Sequence, residues 1–177
     1  IYQSMACDQH DVSVPFGGDL AAALARCRMP VLVMPCATDL LTWKNELPAG
    51  RRVLNGVPVE RFPIRPAWRS ERYTDLHARI LFNQPLTVDE QFAWVDGSAH
   101  SPALYQALAR RATEFEFIFF APYLFATTYY GSAIAPARSI IWPCLHDEGY
   151  AYLAPTQLML RSCRGIMYNT EPERTFA

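Results

Sequence analysis

Apolar positions along this chain fall into short blocks of two kinds, and the two alternate. Short, largely apolar runs of four to six residues at 31–34, 115–120 and 139–142 read as strands, the wholly apolar 31–34 as one buried on both faces. Between them apolar residues recur at helical spacing: Leu20, Leu24 and Cys27 within 19–28, then Tyr73, Leu76, Ile80 and Leu81 on one face. Leu104, Ala107, Leu108 and Ala112 continue the pattern behind Ser101-Pro102, an N-cap followed by an N1 proline. Thr87 and Glu90 form a capping box that opens a short helix through Trp94.

Turn chemistry supplies the punctuation. Asn55-Gly56 between 52–54 and 57–62 predicts a hairpin. Residues 11–15 read as a short strand turned by Gly17-Gly18, and Met29-Pro30 stops the helix that follows. In the last third, a helix from 122 to 130 closed by Gly131, a helix over 152–163, a strand over 165–168 and a helix capped by Thr170 repeat the alternation. Residues 67–99 are the least regular and read as a helical insertion over the sheet. The expected fold is α/β: one domain over residues 1–177, Rossmann-like, an open and mostly parallel sheet with helices on both faces, a hairpin and that insertion.

Composition changes this picture little. A net charge of −1 over 177 residues gives no electrostatic footprint for nucleic acid. The five cysteines show no Cys-x-x-Cys pair and read as small buried hydrophobes. No metal site is expected, because His10, His77 and His100 lie on unrelated segments from His146. No apolar run reaches bilayer length and residues 1–10 lack the halves of a signal peptide. A cytoplasmic protein is expected, with a place at the inner face of a membrane left open.

In open parallel sheets ligands bind beyond the carboxyl ends of the strands, so the loops there carry the candidate chemistry. Gly17-Gly18 lets backbone approach a ligand and leaves amides at a helix N-terminus, which favours anions. Tyr123 is placed to stack on a sugar ring or a base. His146, Asp147 and Glu148 can hydrogen-bond a substrate hydroxyl or move a proton; they can equally cap the next helix. The G-x-G-x-x-G spacing and the G-x-S-x-G elbow are both missing, which argues against a dinucleotide site and an α/β-hydrolase.

The order of these loops resembles the N-terminal domain of GT-B glycosyltransferases of the retaining family-4 branch. Residues 36–50, with Cys36-Ala37, Asp39, Thr42-Trp43, Asn45 and Pro48-Ala49-Gly50, look like that branch's "CAxDxxTWxNxxPAG" run. Residues 55–63 look like the hairpin that follows it, and 101–104, 120–123, 146–148, 165–166 and 170–174 fall in the family's order. The likeness implies an acceptor-side domain that works with a separate donor domain, sugar transfer from a nucleotide-sugar donor to an acceptor hydroxyl, and no cofactor. It also implies front-side attack that needs no protein nucleophile. By that likeness Gly17, Gly18 and His146 lie near the transferred sugar, Asp147 orients the imidazole, and Asp39, Trp43 and Asn45 line the acceptor side. Trp43 and Asn45 can instead simply brace their own loop.

The donor domain's paired glutamates have no counterpart in this sequence, so the chain alone is expected to be inactive. The alternative is a non-catalytic α/β binding or regulatory domain derived from the same fold. A hydrolase using His146 and Glu148 is a third.

Overall fold

A computed structural model describes residues 17–19, 22, 47–54, 56–65 and 70–177. The chain divides into two compact units, Ile1–Val31 and Leu32–Ala177. In the first, Gly17 and Gly18 both take positive φ, 66° and 87°. Both angles lie where a side chain is strained, which is why glycines stand there. The Asp19 Oδ1 then accepts from the amide of Ala22, which is helical, at 2.9 Å. The expected strands at 11–15 and 31–34, most of the helix at 19–28, and the candidate residues Asp39, Trp43 and Asn45 lie outside the described residues.

In the second unit the first described element is the expected hairpin. Strands β1 (Gly50–Leu54) and β2 (Val57–Arg61) pair antiparallel with Leu54 opposite Val57, and Gly56 takes φ 81° beside the turn. Val59 is buried, whereas Val53, Leu54 and Val57 near the tip are exposed. Glu60 ties the hairpin to the rest of the unit: its Oε2 stands 2.6 Å from an Arg111 guanidinium nitrogen and 3.1 Å from Arg51 Nε.

Three helices follow, each started by its own side chain. Helix α1 (Glu71–Leu81) is capped by Ser70, whose hydroxyl accepts from the Tyr73 amide. Helix α2 (Val88–Asp96) begins with the full capping box: the Glu90 amide donates to Thr87 Oγ1 at 3.2 Å and the Thr87 amide to Glu90 Oε2 at 2.8 Å. Helix α3 (Pro102–Arg111) starts at Ser101 with Pro102 in the first turn. Tyr73, Leu76 and Ile80 are buried as the spacing predicts, but Leu81 is 59% exposed. One residue beyond Ile80 is about a 100° rotation, which carries Leu81 off the buried stripe. Residues 71–96 are largely helical, as expected, but form part of the core rather than only a cover. Their apolar stripes, with Trp94 and Val95, join the main hydrophobic core.

Among the described residues the parallel sheet is small and three-stranded. Strands β3 (Ile118–Phe120), β4 (Ser139–Ile141) and β5 (Gly165–Ile166) pair in the order of the chain, Phe120 opposite Ile141 and Ile141 opposite Ile166. Helix α4 (Ala126–Ile134) links β3 to β4, helix α5 (Ala154–Ser162) links β4 to β5, and helix α6 (Glu171–Phe176) follows. The unit is thus mixed α/β, with parallel strands whose crossovers carry helices.

Gly131 does not end the preceding helix, as its residue type suggested; it sits inside α4. A Cβ there would stand 2.7 Å from Cε1 of buried Phe120 and 3.4 Å from a methyl of Leu108. The glycine is a close approach of helix to strand. Among the described residues no helix is long and apolar enough to cross a membrane.

Candidate functional site

Because β3, β4 and β5 run parallel and in near register, the loops leaving them emerge at one edge. They are 121–125 after β3, 142–148 after β4 and 167–170 after β5. Hydrogen bonds bind them together. The amide of Tyr123 donates to the carbonyl of Pro143 at 3.2 Å, and its hydroxyl donates to Glu148 Oε1 at 2.6 Å. Trp142 Nε1 donates to Asn169 Oδ1 at 2.6 Å. Glu173, buried at the start of α6, accepts from the amides of Leu145 at 2.5 Å and Asn169 at 2.6 Å. Charge-assisted bonds of this kind are the stronger ones, so Glu173 staples the β4 and β5 loops together.

Tyr123 is 4% exposed, which corrects its expected part as a stacking face: the ring is packed in the core and offers no open side to a sugar or base. What it supplies is its hydroxyl. Burial first, and the Glu148 carboxylate beside it, hold this phenol well above the ordinary tyrosine range, so it stays protonated and keeps donating. His146 and Asp147 are exposed on the same loop. The Tyr152 hydroxyl donates to Asp147 Oδ1 at 2.7 Å. That bond raises the Tyr152 pKa and joins the carboxylate to the 3₁₀ turn Gly149–Tyr152.

The structure therefore brings Tyr123, Glu148 and the exposed pair His146 and Asp147 to one sheet edge. Gly17 and Gly18 belong to the other unit. Trp142 and Asn169 were missed, and so was the part played by Glu173. Trp142 ends an apolar strand pattern and reads as core, yet it lies just past β4 and is 40% exposed. Glu173 sits three residues after Thr170 and looks like half of a capping box; the Glu173 amide does donate to the Thr170 hydroxyl at 3.2 Å. Its carboxylate reaches back to the Asn169 amide and across to that of Leu145, 28 residues away, which a local sequence window does not contain.

A second polar cluster was also missed. His100 follows α2, and its Nε2 is 3.7 Å from Asp96 Oδ1. The Tyr130 hydroxyl donates to the same Asp96 oxygen at 2.5 Å, and the Tyr105 hydroxyl is 3.1 Å from His100 Nδ1. Burial lowers the His100 pKa; Asp96 opposes that and Arg65 adds to it. Tyr105 is pushed up to about 12, chiefly by burial. The four-residue spacing of Asp96 and His100 was the visible signal; Tyr130 and Arg65 come from distant segments.

Comparison with family models, with curated proteins and with solved structures gives no match for this chain.

Proposed function

We propose that this chain is the acceptor-side domain of a retaining sugar transferase of the GT-B type. The reading rests on one observation above the others: three parallel strands deliver their following loops to a single edge, where the Tyr123 hydroxyl holds Glu148 and so fixes the loop that carries exposed His146. The likeness of residues 36–63 and 146–148 to the family-4 branch supports it further.

In this reading the His146 imidazole lies against the transferred sugar and takes a hydrogen bond from, or donates one to, a ring hydroxyl. Asp147 sits beside it on the loop, Glu148 is the anchor, and exposed Trp142, held by Asn169, offers the stacking face that buried Tyr123 does not. By the family likeness alone, Gly17 and Gly18 are assigned to the donor phosphates and Asp39, Trp43 and Asn45 to the acceptor. The nucleotide-sugar donor binds mainly on a partner domain facing this one. Attack by the acceptor hydroxyl on the donor face that the leaving phosphate vacates requires no nucleophile from the protein. The work of these residues is to position two substrates and exclude water. Placement on the cytoplasmic side, at a membrane surface for a lipid-linked acceptor, belongs to the same proposal.

The test is a survey of nucleotide sugars and acceptors on the full-length protein, followed by His146→Ala. Transfer is expected to fall by ~10²-fold or more while donor binding persists. Binding of a sugar without turnover would favour the non-catalytic domain. Transfer at an unchanged rate in His146→Ala would remove the assigned site.

A further inference from the structure

We propose that the open cleft between Arg65, the turn from α2 to α3, and α4 binds a small anionic sugar, a pyranose ring carrying one carboxylate or phosphate. None of its lining residues belongs to the strand-edge loops, so this site stands whether or not the chain transfers sugar.

The cleft has a volume of about 600 Å³. That is inside the span of roughly 300–1,000 Å³ common to small-molecule sites. Its walls divide by chemistry. Pro102, Ile134 and the rings of Tyr105 and Tyr130 make an apolar side, the two tyrosine rings 6.1 Å apart and tilted by 59°. His100 stacks on Tyr130 at 5.2 Å. The polar side is Arg65, Asp96 and the hydroxyls and imidazole joined to them. A pyranose matches this division, with one face of C–H groups for the aromatic rings and an equator of hydroxyls for a carboxylate and neutral donors.

The charges decide between a neutral and an anionic sugar. Asp96 is already engaged by the Tyr130 hydroxyl, with His100 close by. His100, with its pKa lowered, brings no cation at neutral pH. Arg65 is different. Its backbone amide donates to the His100 carbonyl at 2.6 Å, which fixes it at the rim. Among the described residues its guanidinium enters no hydrogen bond or ion pair. A guanidinium left over at the edge of an aromatic cleft is matched by a planar or tetrahedral oxyanion, which it grips through two parallel bonds.

The experiment is an NMR titration of the isotope-labelled 177-residue chain with glucuronate, a hexose phosphate, glucose, and inorganic phosphate and acetate as anions without a sugar. Amide shifts centred on Arg65, His100 and Tyr130 are expected with both anionic sugars, weaker with glucose, and weakest with the simple anions. Which of the two anionic sugars binds more tightly then identifies the oxyanion. Arg65→Gln and Asp96→Asn change exposed side chains and keep the fold. The first should weaken glucuronate by about tenfold or more and leave glucose unchanged; the second should weaken both sugars. Absence of shifts in the cleft, inorganic phosphate binding as tightly as the anionic sugars, or unchanged glucuronate affinity in Arg65→Gln would each overturn the proposal.

Discussion

The hydroxyl of Tyr123 and the carboxylate of Glu148, 25 residues apart in the chain, meet at 2.6 Å and join the loop after β3 to the loop after β4. The ring is buried while Glu148 is half-buried. Tyr123→Phe therefore removes the bond without opening a cavity, and water can replace the lost donor on Glu148. The expected loss is about 1–2 kcal/mol, below that of a fully buried charged pair. For a chain of this length each 1 kcal/mol lowers the melting midpoint by ~2–4 °C. Equal stability of the variant in urea would show that the two loops are held by other contacts.

Gly131 makes the opposite kind of prediction. In an exposed helix, replacing glycine by alanine stabilises by about 1 kcal/mol. Here the new methyl meets Cε1 of Phe120 at 2.7 Å, and that ring is buried and cannot swing away. Overpacking typically costs ~1–3 kcal/mol. Gly131→Ala should therefore destabilise on balance, as measured by chemical denaturation. A stabilised variant would mean that α4 shifts freely over β3.

This contrast separates what could be read from the sequence from what could not. The capping box at Thr87, the start at Ser101-Pro102 and the hairpin around Gly56 depend on side chains within a few residues of one another, and all three form as expected. Gly131 was misread because glycine's local meaning, the end of a helix, lost to a tertiary contact with Phe120. Leu81 was misread by one position in the helical repeat. At the sheet edge the loops were legible from the rule for parallel strands, and Tyr123 and Glu148 do meet there. Its braces were not: Glu173 acts on Leu145, 28 residues away, and Trp142 on Asn169, 27 away. The cleft around His100 needs Arg65, Asp96, Tyr105 and Tyr130 from four segments, and no periodicity within one segment reports such a meeting.

Glu90 carries a prediction about acid. Its carboxyl accepts from the Arg79 guanidinium at 2.6 Å and from the Thr87 amide, and these bonds, Arg79 first, lower its pKa to about 2. In the unfolded chain it titrates at the ordinary carboxylate value, so the folded state gains stability once pH is above that value. The gain is lost as pH falls from there towards 2. Glu90→Gln removes this dependence. Between pH ~4.5 and 2 the variant should lose stability less steeply than the parent, by up to about one proton in the slope. Parallel slopes would mean that the pair with Arg79 does not persist in solution.

His100 tests the electrostatics of the cleft directly. Facing it are Asp96 from α2, Tyr105 from α3, Tyr130 from α4 and Arg65 beyond β2. Burial disfavours the imidazolium and Arg65 does so further, while Asp96 favours it; the balance is a lowered pKa. The unfolded histidine takes up its proton near pH 6.5. Folding therefore loses stability as pH falls through that value and on to the lower folded midpoint, and none above it. An NMR titration of the imidazole should give a midpoint below 6.5. Arg65→Gln should move it up, because a nearby cation is gone, and Asp96→Asn should move it down. A midpoint at or above the ordinary value, or shifts of the opposite sign in the two variants, would mean that these four side chains do not share one cleft in solution.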